Sequence, residues 1–146
     1  MADQQPRISE TQFEEISRQR VPFIGQLGVV VDELGYGSVN LRIPFQDDFL
    51  RPGGTIAGPV MMGLADLAMY GVVLSMIGPV ELAVTTSLNI NFLRRPRPGD
   101  VLAHARILKL GRRLAVGEVT LYRDGDEDPV AHVTSTYSIP PDRSSP

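Results

Sequence analysis

One carboxylate stands alone in the most apolar stretch of this chain. From Arg51 to Pro79 the sequence reads RPGGTIAGPVMMGLADLAMYGVVLSMIGP, and Asp66 is its single acid. Burying an unpaired carboxylate is costly, so Asp66 requires a hydrogen-bond partner, a neutral state or a wet cleft. Two roles meet that requirement. Asp66 is a structural polar group satisfied by a neighbouring hydroxyl, or it is a general base or nucleophile. A second chemical element lies upstream at Ala57-Gly58-Pro59. Gly58 is expected to cap a helix with Pro59 at its first position, leaving the N–H groups of Gly58, Val60 and Met61 free. The helix dipole favours negative charge at that end, so these groups suit an oxyanion. Asp66 follows Gly58 by eight residues, or about 12 Å along a helix axis. One chain cannot bring both to the same carbonyl carbon. Two helices antiparallel across a two-fold axis can, with Asp66 of one subunit beside Gly58 of the other. The expected site is therefore composite and its dimer obligatory.

Other side chains could serve that chemistry. At 100° per residue Met62, Gly63, Met69, Tyr70 and Val73 share a side with Asp66, which makes Met62, Gly63 and Tyr70 candidates for touching a substrate. Val60, Leu64, Leu67, Gly71 and Leu74 form the face expected to pack on a sheet. Met61, Met62, Met69 and Met76 fill a core or shape an adaptable pocket. Arg94, Arg95 and Arg97 sit in one turn and Arg112-Arg113 in another. Guanidinium groups suit phosphates, although solvated turns also attract Arg. On the run Leu82–Leu93, alternation puts Leu82, Val84, Leu88, Ile90 and Phe92 on one face and Thr85, Ser87, Asn89 and Asn91 on the other. His104 and His132 fall at solvent-facing strand positions without a second histidine at ligand spacing. With no cysteine either, no metal site is expected. No serine elbow, phosphate loop or dinucleotide fingerprint is present.

The elements that must hold these groups are legible from periodicity. Residues 8–20 read as a short amphipathic helix with Phe13 and Ile16 on one side, stopped before Pro22. Strands follow at Leu27–Leu34 and Ser38–Ile43, joined by Gly35-Tyr36-Gly37, then a loop over Phe45–Gly58. The long helix ends near Gly78-Pro79. Four more strands are expected at Leu82–Leu93, Val101–Leu110, Leu114–Arg123 and Pro129–Ile139. Short separators predict antiparallel pairing of consecutive strands. Two strands, one long helix and four strands make a two-layer α+β domain. Its exposed sheet edges favour pairing with a second copy. The organisation is an N-terminal segment over 1–20, one domain over 21–139 and a flexible tail over 140–146.

Composition bounds the remainder. With 146 residues, 42% hydrophobic and 21% charged, one globular domain with a real core is expected. A net charge of −3 argues against nucleic-acid binding. The first 20 residues are polar and carry acids, unlike a secretory or mitochondrial leader. The apolar run Ile56–Val80 is interrupted by glycines, prolines and Asp66, so it reads as a buried core helix rather than a membrane span. The expected setting is the cytoplasm, with no membrane partner.

The order of elements, the glycine-rich start of a helix with an acid near its middle, AVTTSLNINFLRRPRPGD (Ala83–Asp100) and GRRLAVGEVTLYRDGDEDPVAHVTSTY (Gly111–Tyr137) closely resemble the PaaI-like branch of the hotdog-fold acyl-CoA thioesterases. The resemblance covers about residues 20–139. It implies a hotdog fold, a homodimer often paired into a tetramer, and hydrolysis of an acyl-CoA thioester to free acid and CoA without a metal or cofactor. It implies Asp66 as the catalytic acid, Gly58 as the N–H that polarises the thioester carbonyl, and Thr85 as a hydroxyl that helps hold the water. CoA phosphates would fall to Arg95, Arg112 and Arg113. Two positions depart from the family pattern. Ala57 stands where the family usually has His, and Arg51 stands where it often has Asn, so both are candidates for altered substrate contacts. Losing one such donor costs about 10²–10³ in rate. The alternative is a protein that binds acyl thioesters without turnover, or a purely structural dimer module. Hotdog hydratases fit poorly, because they pair Asp with a His that this helix lacks.

Overall fold

A computed structural model describes residues 4–141. The expected flexible tail lies, from residue 142 onward, outside the described residues. Helix α1 (Glu10–Arg20) begins in a capping box. The Ser9 hydroxyl accepts from the Gln12 N–H, while the Gln12 side chain accepts from the Ser9 N–H, both at 3.0 Å. Pro22 ends it and opens a one-turn helix, α2 (Pro22–Gly25), where its missing N–H costs nothing. The N–H groups of Leu27 and Gly28 bond back to carbonyls of α2. That is why β1 (Val30–Gly35) starts later than the expected Leu27. Strand β2 (Ser38–Ile43) returns antiparallel. The expected loop before the long helix holds a small hairpin, β3 (Leu50–Arg51) and β4 (Thr55–Ile56). Its turn needs glycine, because Gly53 and Gly54 take φ of 99° and 78°.

The long helix, α3 (Gly58–Ile77), is capped by Ala57 rather than by Gly58. It is long and apolar enough to cross a membrane, but 72% of its most apolar window is buried inside the fold. From Leu64 to Ile77 every residue except Asp66 is buried. The sheet covers one side and α1 the other. Phe13, 0% exposed, lies so close to Gly71 that a Cβ there would sit 2.9 Å from its ring. Gly71 therefore faces α1 and not the sheet, while Met69 lies over Gly117 of the sheet. A helix apolar all round has no moment with which a wheel can be oriented.

The remaining strands are β5 (Val84–Phe92), β6 (Val101–Leu110), β7 (Leu114–Arg123) and β8 (Ala131–Ser138). With β1 and β2 they form one six-stranded sheet in the order β1-β2-β6-β7-β8-β5. Every pairing is antiparallel, and the sheet wraps α3 in the hotdog arrangement. Consecutive strands β5 and β6 do not pair, contrary to expectation. Their link carries Pro96 and Pro98, which offer no N–H to a tight hairpin. It crosses the end of the sheet instead, held where Ile56 N–H donates to the Pro96 carbonyl at 3.0 Å and Arg123 donates to that of Pro98 at 2.8 Å. β5 is left as an edge strand, with Leu82, Val84, Phe92 and Leu93 at 50% exposure or more. Phe13 is the main apolar anchor of α1 on α3. Phe13→Ala should lower the unfolding free energy by about 3–5 kcal/mol in urea titration, and an unchanged midpoint would contradict that packing.

Candidate active site

Asp66 is half-buried on α3, and its carboxylate is not alone. Thr85 Oγ1 donates to Oδ1 at 2.6 Å, and Tyr137 OH donates to the same oxygen at 3.0 Å. The tyrosine hydroxyl also lies 3.1 Å from the main-chain carbonyl of Asp66. No hydrogen bond from a described residue reaches Oδ2. Strict alternation would turn Thr85 away from the helix. A β-bulge between Thr85 and Ser87 reverses the phase, so Thr85 pairs with Tyr137 and shares the helix-facing side with Leu88 and Ile90. The bulge thus corrects the face expected for Thr85.

Tyr137 is 3% exposed and stacks on Tyr70, with ring centroids 6.1 Å apart and planes at 28°. Tyr70 OH donates to the Glu81 carbonyl at 2.9 Å. Burial, with help from Glu81, pushes the Tyr70 hydroxyl up to about 12. Burial pushes that of Tyr137 still higher, aided by the negative charge of Asp66. Both phenols stay neutral donors. These groups line a cleft of about 370 Å³ with Leu67, Val84 and, from the α1–α2 arch, Val21 and Ile24. An Arg20–Glu81 ion pair at 2.7 Å closes one rim.

The start of α3 opens into a different cleft of about 200 Å³, lined by Gly58, Arg51, Arg95, Met61 and Phe92. The Gly58 N–H has no hydrogen-bond partner among the described residues. The Val60 N–H, expected to be free, instead donates to the Ala57 carbonyl at 3.1 Å. The β3–β4 hairpin sets Arg51 beside Gly58. Arg94 donates to the Pro129 carbonyl and Arg97 to Asp126, whereas the guanidinium groups of Arg51 and Arg95 make no contact of this kind among the described residues. Within one chain, then, Asp66 and Gly58 belong to separate clefts.

Several expected substrate contacts fall elsewhere. Ala57 caps α3, its N–H donating to the Phe49 carbonyl at 2.8 Å, and lines neither cleft. Gly63 abuts Ile24 and Leu27, and Met62 is 41% exposed outside both. Arg112 and Arg113 occupy the β6–β7 turn, at the end of the sheet opposite Arg95. His132 meets Glu118 at 2.9 Å on the outer face of the sheet, and His104 leans on Tyr122. His132 and Arg106 together hold Glu118 below the usual carboxylate range. Among the described residues no cluster of acids and histidines could hold a metal. Tyr137 was not foreseen: in an alternating strand it reads as core. The available signal was that a buried tyrosine hydroxyl needs a partner.

The family model of the Thioesterase superfamily matches residues 53–130. A solved structure from Silicibacter sp. TM1040, assigned as a thioesterase, is 42% identical with a TM-score of 0.84, covering 94% of this chain and 95% of that one. The phenylacetic acid degradation protein PaaI of Thermus thermophilus is 30% identical with a TM-score of 0.72, covering 82% and 99%. A protein of Saccharolobus solfataricus assigned as an esterase is 28% identical over 135 residues, 92% of this chain and 87% of that protein.

The Thr85 hydrogen bond is a direct consequence of the bulge. Thr85→Val keeps the shape but removes the donor, and should cost about 1 kcal/mol in urea unfolding at pH 7. A midpoint identical to that of the parent would mean that the hydroxyl does not reach Asp66 in solution.

Proposed function

This chain belongs to the Thioesterase superfamily, whose model spans more than half of it, and on that premise we propose that it hydrolyses an acyl-CoA thioester to a free acid and CoA at a site built by two copies. The observation that carries the reading is the Asp66 carboxylate, with Oδ1 held by two hydroxyls and Oδ2 unbonded among the described residues, in a cleft that mixes apolar side chains with polar ones. In the water route, Oδ2 takes a proton as water oxygen attacks the thioester carbon. The carbonyl oxygen then gathers negative charge against the Gly58 N–H at the positive end of α3. Collapse breaks the C–S bond, and the proton held by Asp66 passes to the leaving sulfur. In the alternative route Oδ2 itself attacks, and water then hydrolyses the mixed anhydride. The products are the same, but if water opens the anhydride at Asp66 Cγ, a single turnover in ¹⁸O water labels Asp66, whereas the water route labels only the released acid.

The two clefts support a shared site. The edge strand β5 runs from Thr85, beside Asp66, to Phe92, beside Gly58. A second copy adding its β5 antiparallel about the midpoint, near Leu88, sets each Thr85 end against the other subunit's Phe92 end. Asp66 of one copy then meets Gly58 of the other, and the exposed Leu82, Val84, Phe92 and Leu93 are covered. The same operation carries the Arg112-Arg113 turn toward the other subunit's Arg51 and Arg95, a cationic rim suited to the phosphates of CoA. Further pairing into a tetramer would leave this site intact. The cysteine-free chain, with its long apolar helix inside the fold, fits action in the cytoplasm.

An assay of thiol release across acyl-CoA chain lengths and aromatic acids tests this. At least one substrate should turn over, and Asp66→Asn should lower kcat by about 10³-fold or more while the dimer persists in sedimentation. Ala57 and Arg51, which depart from the His and Asn of the family pattern that the sequence resembles, favour one competing reading. If acyl-CoA raises the melting temperature yet no thiol appears, the protein binds the thioester without cleaving it.

A further inference from the structure

We propose that Tyr137 is a positioning residue for this reaction, its hydroxyl fixing Oδ1 of Asp66 so that only Oδ2 faces the reacting carbonyl. The inference rests on the hydrolase reading above and adds to it a residue from the interior of the sheet. A carboxylate has two equivalent oxygens that exchange by rotation about one soft torsion. An oxygen already accepting two hydrogen bonds is a poor base, and the other is the competent one. Thr85 and Tyr137 both converge on Oδ1, through hydrogen bonds strengthened by the charge they meet.

The two donors are not equivalent. Thr85 sits at a bulge, where the β5–β8 ladder is locally broken, so it is the less constrained of the pair. Tyr137 lies on β8, which is hydrogen-bonded to β7 on one side and β5 on the other. Its ring is buried and stacked on Tyr70. Its second contact, to the Asp66 main-chain carbonyl, ties that turn of α3 to the sheet. With its one proton shared between Oδ1 and that carbonyl, Tyr137 holds the carboxylate against the helix turn that carries it. A role as proton donor to the leaving sulfur does not fit, because the hydroxyl is aimed at Asp66 and burial holds its proton tightly.

Tyr137→Phe in the full chain keeps the ring and removes only the hydroxyl. We expect kcat to fall about tenfold with KM unchanged within about twofold. An unchanged kcat overturns the proposal, as does a rise in KM alone. The carbon-13 NMR resonance of the Asp66 carboxyl at pH 7, identified by its loss in Asp66→Asn, reads the same contact without turnover. A displaced resonance in Tyr137→Phe relative to the parent supports it, and an identical one overturns it. If the parent releases no thiol from any substrate but the resonances differ, the hydrolase reading fails while the positioning contact stands.

Discussion

A single acid inside an apolar helix governs how this molecule is put together. Leaving Asp66 without partners at that depth would cost more than most single contacts return. The fold answers with two hydroxyls from adjoining strands, both on Oδ1. Each answer has its own structural requirement. The bulge in β5 turns Thr85 inward, and the pairing of β5 with β8 places Thr85 opposite Tyr137. Among the described residues one oxygen is satisfied and the other is left open, the arrangement that the proposed role as a base requires.

The same helix that isolates the acid also separates it from the electrostatic device at its own N-terminus. A helix rises about 1.5 Å per residue and does not fold back, so Asp66 stays about two turns from the N–H of Gly58. The sheet order supplies a way round this. Because the proline-rich link carries the chain from β5 across to β6, β5 is left with one unpaired edge. An edge strand carrying exposed Val84 and Phe92 invites an antiparallel copy, which reverses the helix direction across the join. Crossover and free edge are linked features of one topology, and the proposed composite site builds on both.

Much of this was legible in the sequence, and the gaps have physical causes. The long helix, its lone acid and the strands of the hotdog arrangement follow from periodicity, from Pro59 at the helix start and from Gly78 at its end. The partner of β5 was not legible, because a short separator resembles a hairpin until its prolines are placed in space. Strict alternation put Thr85 on the wrong face, since a bulge inserts one residue without any compositional mark. The wheel misplaced Gly71 because α3 is apolar on every side and α1 competes with the sheet to cover it. Tyr137 was hidden by its resemblance to core, although its hydroxyl is what makes it matter.

Complementation between two disabled chains tests the shared site most directly. Asp66→Asn removes the proposed base, and Gly58→Pro removes the N–H at the first helix position, with the Phe92 ring giving way to a Cβ that would lie 3.3 Å from it. Each variant alone should retain about a hundredth of the parent rate or less. Refolded together in equal amounts, half of the dimers are mixed, and each mixed dimer contains one site with both groups intact. A shared site predicts recovery to about one quarter of the parent activity. No recovery, with mixed dimers shown to form, would place the whole site within one chain and contradict it.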